Sequence, residues 1–148
     1  MSLKDQLFLD FKEAMKKKET LRKNTIQSIR TAALQMEKDQ KIDVSEEDYV
    51  KIIANLVKKR TSALPEFEKS GRLDLIDELK SEIDILMTYL PKQLSDDEVY
   101  EIVSKTIEEL GATSMKDMGK VMGVLTDELS GKADTKLVSQ LVKKRLSQ

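Results

Sequence analysis

Leu3, Leu7, Phe8, Phe11 and Met15 recur at intervals of three and four, the spacing that puts side chains on one face of a helix. Ser2 stands where an N-cap is needed, and Lys16-Lys17-Lys18 suits the negative end of the helix dipole. Leu21, Ile26, Ile29, Ala33 and Met36 repeat the pattern until a polar stretch at 39–43 interrupts it. Ser45 to Asp48 then reads as a capping box ahead of Val50, Ile53, Leu56, Val57, Leu64 and Phe67, with a kink or break expected at Pro65. Leu75, Leu79, Ile83, Leu86 and Leu90 follow Gly71, and Pro91 should stop that helix. A second capping box, Ser95 to Glu98, opens a helix carrying Val99, Ile102, Val103, Ile107 and Leu110, closed by Gly111. Ser114 opens the next, and Asp134 caps the last, which carries Leu137, Leu141, Val142 and Leu146. Helices are therefore predicted over 2–18, 21–38, 45–70, 73–90, 96–110, 115–129 and 134–146, in two regions, 1–94 and 95–148.

Composition narrows the chemistry. The 148 residues are 39% hydrophobic but hold three Phe, three Tyr and no Trp, so the core is expected to be aliphatic and rich in methionine. Cysteine and histidine are absent, which removes disulfides, thiolate nucleophiles, the common zinc sites and the Ser-His-Asp and Cys-His arrangements. No cofactor or metal is expected. The net charge of −1 gives no global field for nucleic acid or membrane. Residues 1–94 carry 18 basic and 17 acidic side chains and residues 95–148 carry 8 and 10, so any RNA contact must be one-sided. The amphipathic start shows neither leader nor span, which predicts a cytoplasmic protein away from membranes.

Three groups of residues invite functional readings. Gly131-Lys132 lacks the earlier glycine and the following Ser or Thr of a P-loop, so it reads as a helix stop before the cap at Asp134. The turn nevertheless exposes Lys132 and Lys136 beside helix-end donors suited to an RNA phosphate. Asp74, Asp77, Glu78 and Glu82 include a pair at helical spacing, but without histidine they match a solvated acidic face better than a di-metal site. A hydrolase using Glu82 and a neighbouring lysine is the rival catalytic reading. Basic clusters at Lys16-Lys17-Lys18 with Arg22-Lys23, at Lys58-Lys59-Arg60 and at Lys143-Lys144-Arg145 read as solvated helix ends or faces.

The most distinctive pattern lies between Met118 and Gly123. Met118, Val121, Met122, Leu125 and Leu129 form an apolar face, while Gly119 and Gly123 lie on a neighbouring face stripped of side chains. Each glycine costs a helix interior roughly 1 kcal/mol relative to alanine. Two readings stay open: close helix packing inside the molecule, or an exposed surface for an RNA backbone or a partner helix.

Met118 to Gly123 and Gly131 to Asp134 resemble the tail domain shared by the B subunit of the tRNA-dependent amidotransferase and the YqeY-like proteins. Arg60, Gly71-Arg72, Asp74-Leu75, Glu82-Ile83 and Tyr89-Leu90-Pro91 resemble the YqeY-like N-terminal region, so the likeness runs along almost the whole chain. Pro65 and Thr135 depart from that pattern. The resemblance implies an all-α fold, with a four-helix N-terminal region followed by a three-helix GatB/YqeY-type tail. In the amidotransferase the tail helps hold tRNA, while the amidase-type Ser-Ser-Lys and ATP-binding parts lie elsewhere and have no counterpart in this sequence. The expected function is a non-catalytic accessory module touching tRNA through Lys116, Gly119, Lys120, Gly123, Lys132, Lys136 and Lys143, with a helical protein-docking scaffold as the alternative. Arg60, Arg72, Asp74, Glu82, Tyr89, Pro91, Met118, Met122, Gly131 and Asp134 are the candidate structural or partner-docking residues, the partner being a protein of translation or tRNA amidation. Carbon-nitrogen ligase activity attaches to the family by association alone, because fold likeness does not transfer chemistry.

Overall fold

The computed structural model describes residues 1–147, and among them the protein is all-α. Seven helices run in order: α1 (Leu3–Lys16), α2 (Thr20–Gln40), α3 (Glu46–Ser70), α4 (Leu73–Met87), α5 (Asp96–Leu110), α6 (Met118–Glu128) and α7 (Thr135–Leu146), with a 3-10 turn at Met115–Asp117 leading into α6. The helices start where the sequence supplies caps. Ser2 accepts from the Asp5 backbone at 3.1 Å. Ser45 with Asp48 and Ser95 with Glu98 form complete capping boxes. Backbone donation from the caps holds the Asp48 and Glu98 carboxyls below their ordinary range. Gly71 and Gly111 close α3 and α5 at φ of 70° and 65°, a conformation that costs a residue bearing a Cβ roughly 1–2 kcal/mol.

The chain divides into two compact units, Met1–Leu90 and Pro91–Gln148. In the first, Leu7, Ile26, Ile29, Ala33, Tyr49, Ile52, Ile53 and Leu86 form the buried core, and α3 and α4 share the most extensive helix interface. In the second, Val99, Val103, Ile107, Val121, Leu125, Leu129, Val138, Val142 and Leu146 are buried together. Segment 91–94 is bonded within the second unit: Leu94 donates its backbone N–H to the Lys132 carbonyl at 2.9 Å, and the Gln93 amide donates to the Gly131 carbonyl.

Two expectations are corrected. Helix α3 passes Pro65 without a break. Pro65 and Thr61, whose carbonyl loses its donor four residues on, are both exposed, so water can replace the missing bond while packing on α4 holds the helix on its other side. Helix α1 is rotated from its expected face. Leu7 and Ala14 are its buried residues, whereas Phe8 is 47% and Met15 51% exposed. Small Ala14 lets α1 approach its neighbours on a stripe that apolar bulk alone did not reveal.

Candidate nucleic-acid interface

On α6 the apolar stripe predicted from the sequence faces inward: Val121 and Leu125 are fully buried, and Met118 and Met122 pack partly buried against the same core. Gly119 and Gly123 are exposed. A Cβ built on either would meet no atom within 4 Å outside its own helix turn. The glycines therefore do not mediate close helix packing within the described chain, and they leave a bare strip of backbone facing outward. Lys116 and Lys120, four apart and exposed, run beside that strip, as do the exposed Met115 and Val124, and Asp127 continues it.

Beyond the end of α6, Gly131 is buried at φ 74°, where a side chain is disfavoured, and its carbonyl is held by Gln93. Lys132, Lys136 and Lys143 are exposed. Lys136 and Lys143, seven apart, share the outer face of α7. Several of the helix-end donors expected beside them are already taken. Asp134 Oδ1 accepts from the Lys136 backbone at 3.0 Å, and the N–H groups of Lys132 and Ala133 both donate to the Leu129 carbonyl. A carboxylate already occupies the start of α7, so the Gly131–Lys132 turn is no phosphate cradle. Its lysines offer side-chain charge only.

Three candidate residues of the first unit, Arg60, Glu82 and Tyr89, fall into two arrangements. Arg60 Nε donates to Glu82 Oε2 at 3.1 Å, and Arg60 Nη1 donates to the Leu56 carbonyl at 3.2 Å, so this pair clamps α3 to α4. The hydrolase reading needed a lysine beside Glu82. Its hydrogen-bond partner is instead the Arg60 guanidinium. Tyr89 Oη donates to Asp10 Oδ2 at 2.6 Å, and Arg22 lies 3.7 Å from the other oxygen of that carboxylate. Burial, reinforced by Asp10, pushes the Tyr89 phenol well above its ordinary range and keeps it a donor. Arg72 and Asp74 are exposed at the start of α4, and Pro91 follows its end half-buried. Among the described residues no three acidic side chains gather as metal ligands would.

The model of the Yqey-like protein family matches residues 4–146. The chain belongs to the YqeY-like family. Similar curated relatives are named "Altered inheritance of mitochondria protein 41, mitochondrial". The one from Pyrenophora tritici-repentis is 26% identical over 140 residues, covering 93% of this chain and 77% of the relative. That from Lachancea thermotolerans is 34% identical over 104 residues, covering 68% and 56%. That from Clavispora lusitaniae is 28% identical over 135 residues, covering 87% and 77%. These relatives are named as mitochondrial proteins, so the cytoplasmic placement expected from the sequence is corrected. The amphipathic start of the chain was too weak a basis for it.

Proposed function

We propose that this YqeY-like protein is a non-catalytic binding module that holds tRNA against the bare face of α6. The observation that carries this reading is the exposure of Gly119 and Gly123, which weaken the helix and have no packing role in the chain to offset that cost. Backbone stripped of side chains lets a phosphate-sugar strand approach closely, and Lys116 and Lys120 lie beside it to neutralise the phosphates. Lys132 and Lys136 lie beyond the far end of α6, a helix of about 16 Å at 1.5 Å per residue, so a strand of several nucleotides would reach from Gly119 to them. The likeness to the amidotransferase tail supports tRNA as the RNA. A second reading, docking of a partner helix, is favoured by Met115 and Val124, which are 46% and 41% exposed next to the glycines.

Titration of the full chain with labelled tRNA at several salt concentrations separates the two. Affinity should fall steeply with salt, and Lys132→Ala with Lys136→Ala should weaken binding and flatten the slope, each lost phosphate contact removing roughly 0.7–0.9 from it. Gly123→Leu should block binding with the fold retained, because the site of its Cβ is open. Absent tRNA binding, or affinity indifferent to all three changes, would reject the proposal.

A further inference from the structure

The rotation of α1 leaves an aromatic and cationic surface in the first unit that the tail reading does not use. Phe8, Lys12 and Met15 share the outer side of α1, and Lys23 and Arg30, seven apart, share a side of α2. The Arg30 guanidinium lies 4.7 Å from the centroid of the Phe11 ring and 5.7 Å from that of Phe8, whose ring also carries the Lys12 ammonium at 4.7 Å. Lys23 and Met15 meet in a shallow cleft beside the α1–α2 turn. Among the described residues none of Lys12, Lys23 and Arg30 forms an ion pair. Of the hairpin's acidic residues, Asp10, Glu13 and Glu19 gather around Arg22 on its other edge, while Asp5 lies in the first turn of α1 and Glu37 and Asp39 near the end of α2. Lys12, Lys23 and Arg30 thus stand without an ion-pair partner on and around an exposed ring.

The geometry points to a contact site for single-stranded nucleic acid on this face, a base displacing the Lys12 ammonium from the Phe8 ring to stack there beside Arg30, while Lys12 and Lys23 meet the adjoining phosphates. Charge complementarity selects a polyanion, and the half-exposed ring selects one that carries flat bases, since stacking on an aromatic side chain serves any base. An anionic lipid surface would call for a continuous apolar stripe with cations at its margin. Here the cations lie over the rings themselves.

The chain has no tryptophan, so the Phe8→Trp variant of the full protein reports on this face alone, whatever the tail binds. A single-stranded 12-nucleotide oligouridylate should quench its fluorescence. By anisotropy with the same oligonucleotide, Phe8→Leu, which keeps apolar bulk but loses the π face, should lower affinity about five-fold or more without altering the salt slope. Lys12→Ala and Lys23→Ala should each lower affinity and reduce the slope by about 0.7. Failure of the oligonucleotide to quench, or a Phe8→Leu variant of native affinity, would overturn the proposal. So would inorganic polyphosphate binding as tightly as the oligonucleotide, which would make the face a charge patch. Quenching by phosphatidylglycerol vesicles in place of the oligonucleotide would make it a lipid-facing surface and overturn the proposal equally.

Discussion

Replacing Gly119 and Gly123 by alanine should stabilise the second unit while weakening whatever docks on α6. At Gly123, mid-helix, the exchange removes a propensity penalty of roughly 1 kcal/mol and reduces the freedom of the unfolded chain. Gly119 lies in the first turn of α6, where helical restraint is weaker, and contributes about 0.5 kcal/mol. No counter-term is visible, since an added Cβ at either position lies in open space. The pair should therefore add about 1.5 kcal/mol, which for a domain of this size corresponds to a rise in Tm of roughly 6–12 °C. Helix content followed on heating by circular dichroism, with amide exchange of α6 to assign the transition, reads the effect. Gly111→Ala provides the control. Its φ of 65° forces a Cβ into the left-handed region, so this exchange should destabilise by about 1–2 kcal/mol. A fall in stability for Gly123→Ala would refute the reasoning, because it would mean the glycine packs closely against something after all. A rise in stability accompanied by loss of tRNA affinity would identify the glycines as residues kept for contact at the expense of the helix.

Two further outcomes follow from the first unit and the caps. Arg60 and Glu82 side chains are only 19% and 21% exposed, so Arg60→Ala should destabilise by about 1.5–3 kcal/mol and a double-mutant cycle with Glu82→Gln should show coupling near 1 kcal/mol; coupling indistinguishable from zero would deny the α3–α4 clamp. The Asp48 and Glu98 carboxyls are depressed by their caps, so the stability they contribute is complete above the ordinary carboxylate range and is lost as pH falls from that range through their folded values. Urea unfolding at pH 6 and pH 3 should therefore show a smaller acid-induced loss in an Asp48→Asn, Glu98→Gln variant than in the native chain, and equal losses would contradict the assignment.

Local rules written along the chain determined its helical class, its helix starts and most of its inward faces. Ser2, Ser45, Ser95 and Asp134 each cap the helix they precede, and Gly71 and Gly111 end helices in the left-handed conformation that favours glycine. These signals are legible because capping and helical periodicity involve residues within a few positions of one another. The tail motif was legible too, as a pattern of methionine and glycine, but not its orientation. Whether Gly119 and Gly123 face a neighbouring helix or open space depends on where α5 and α7 lie around α6, and no local rule carries that information. The same holds for Phe8, which fits the periodicity of α1 yet stays outside because Ala14 and Leu7 set the contact stripe. Pairings between distant positions, Arg60 with Glu82 and Tyr89 with Asp10, arise only when separate helices are brought side by side. Burial and long-range approach depend on the whole chain at once, and the exposed face of α6 and the cationic face of the α1–α2 hairpin were decided there.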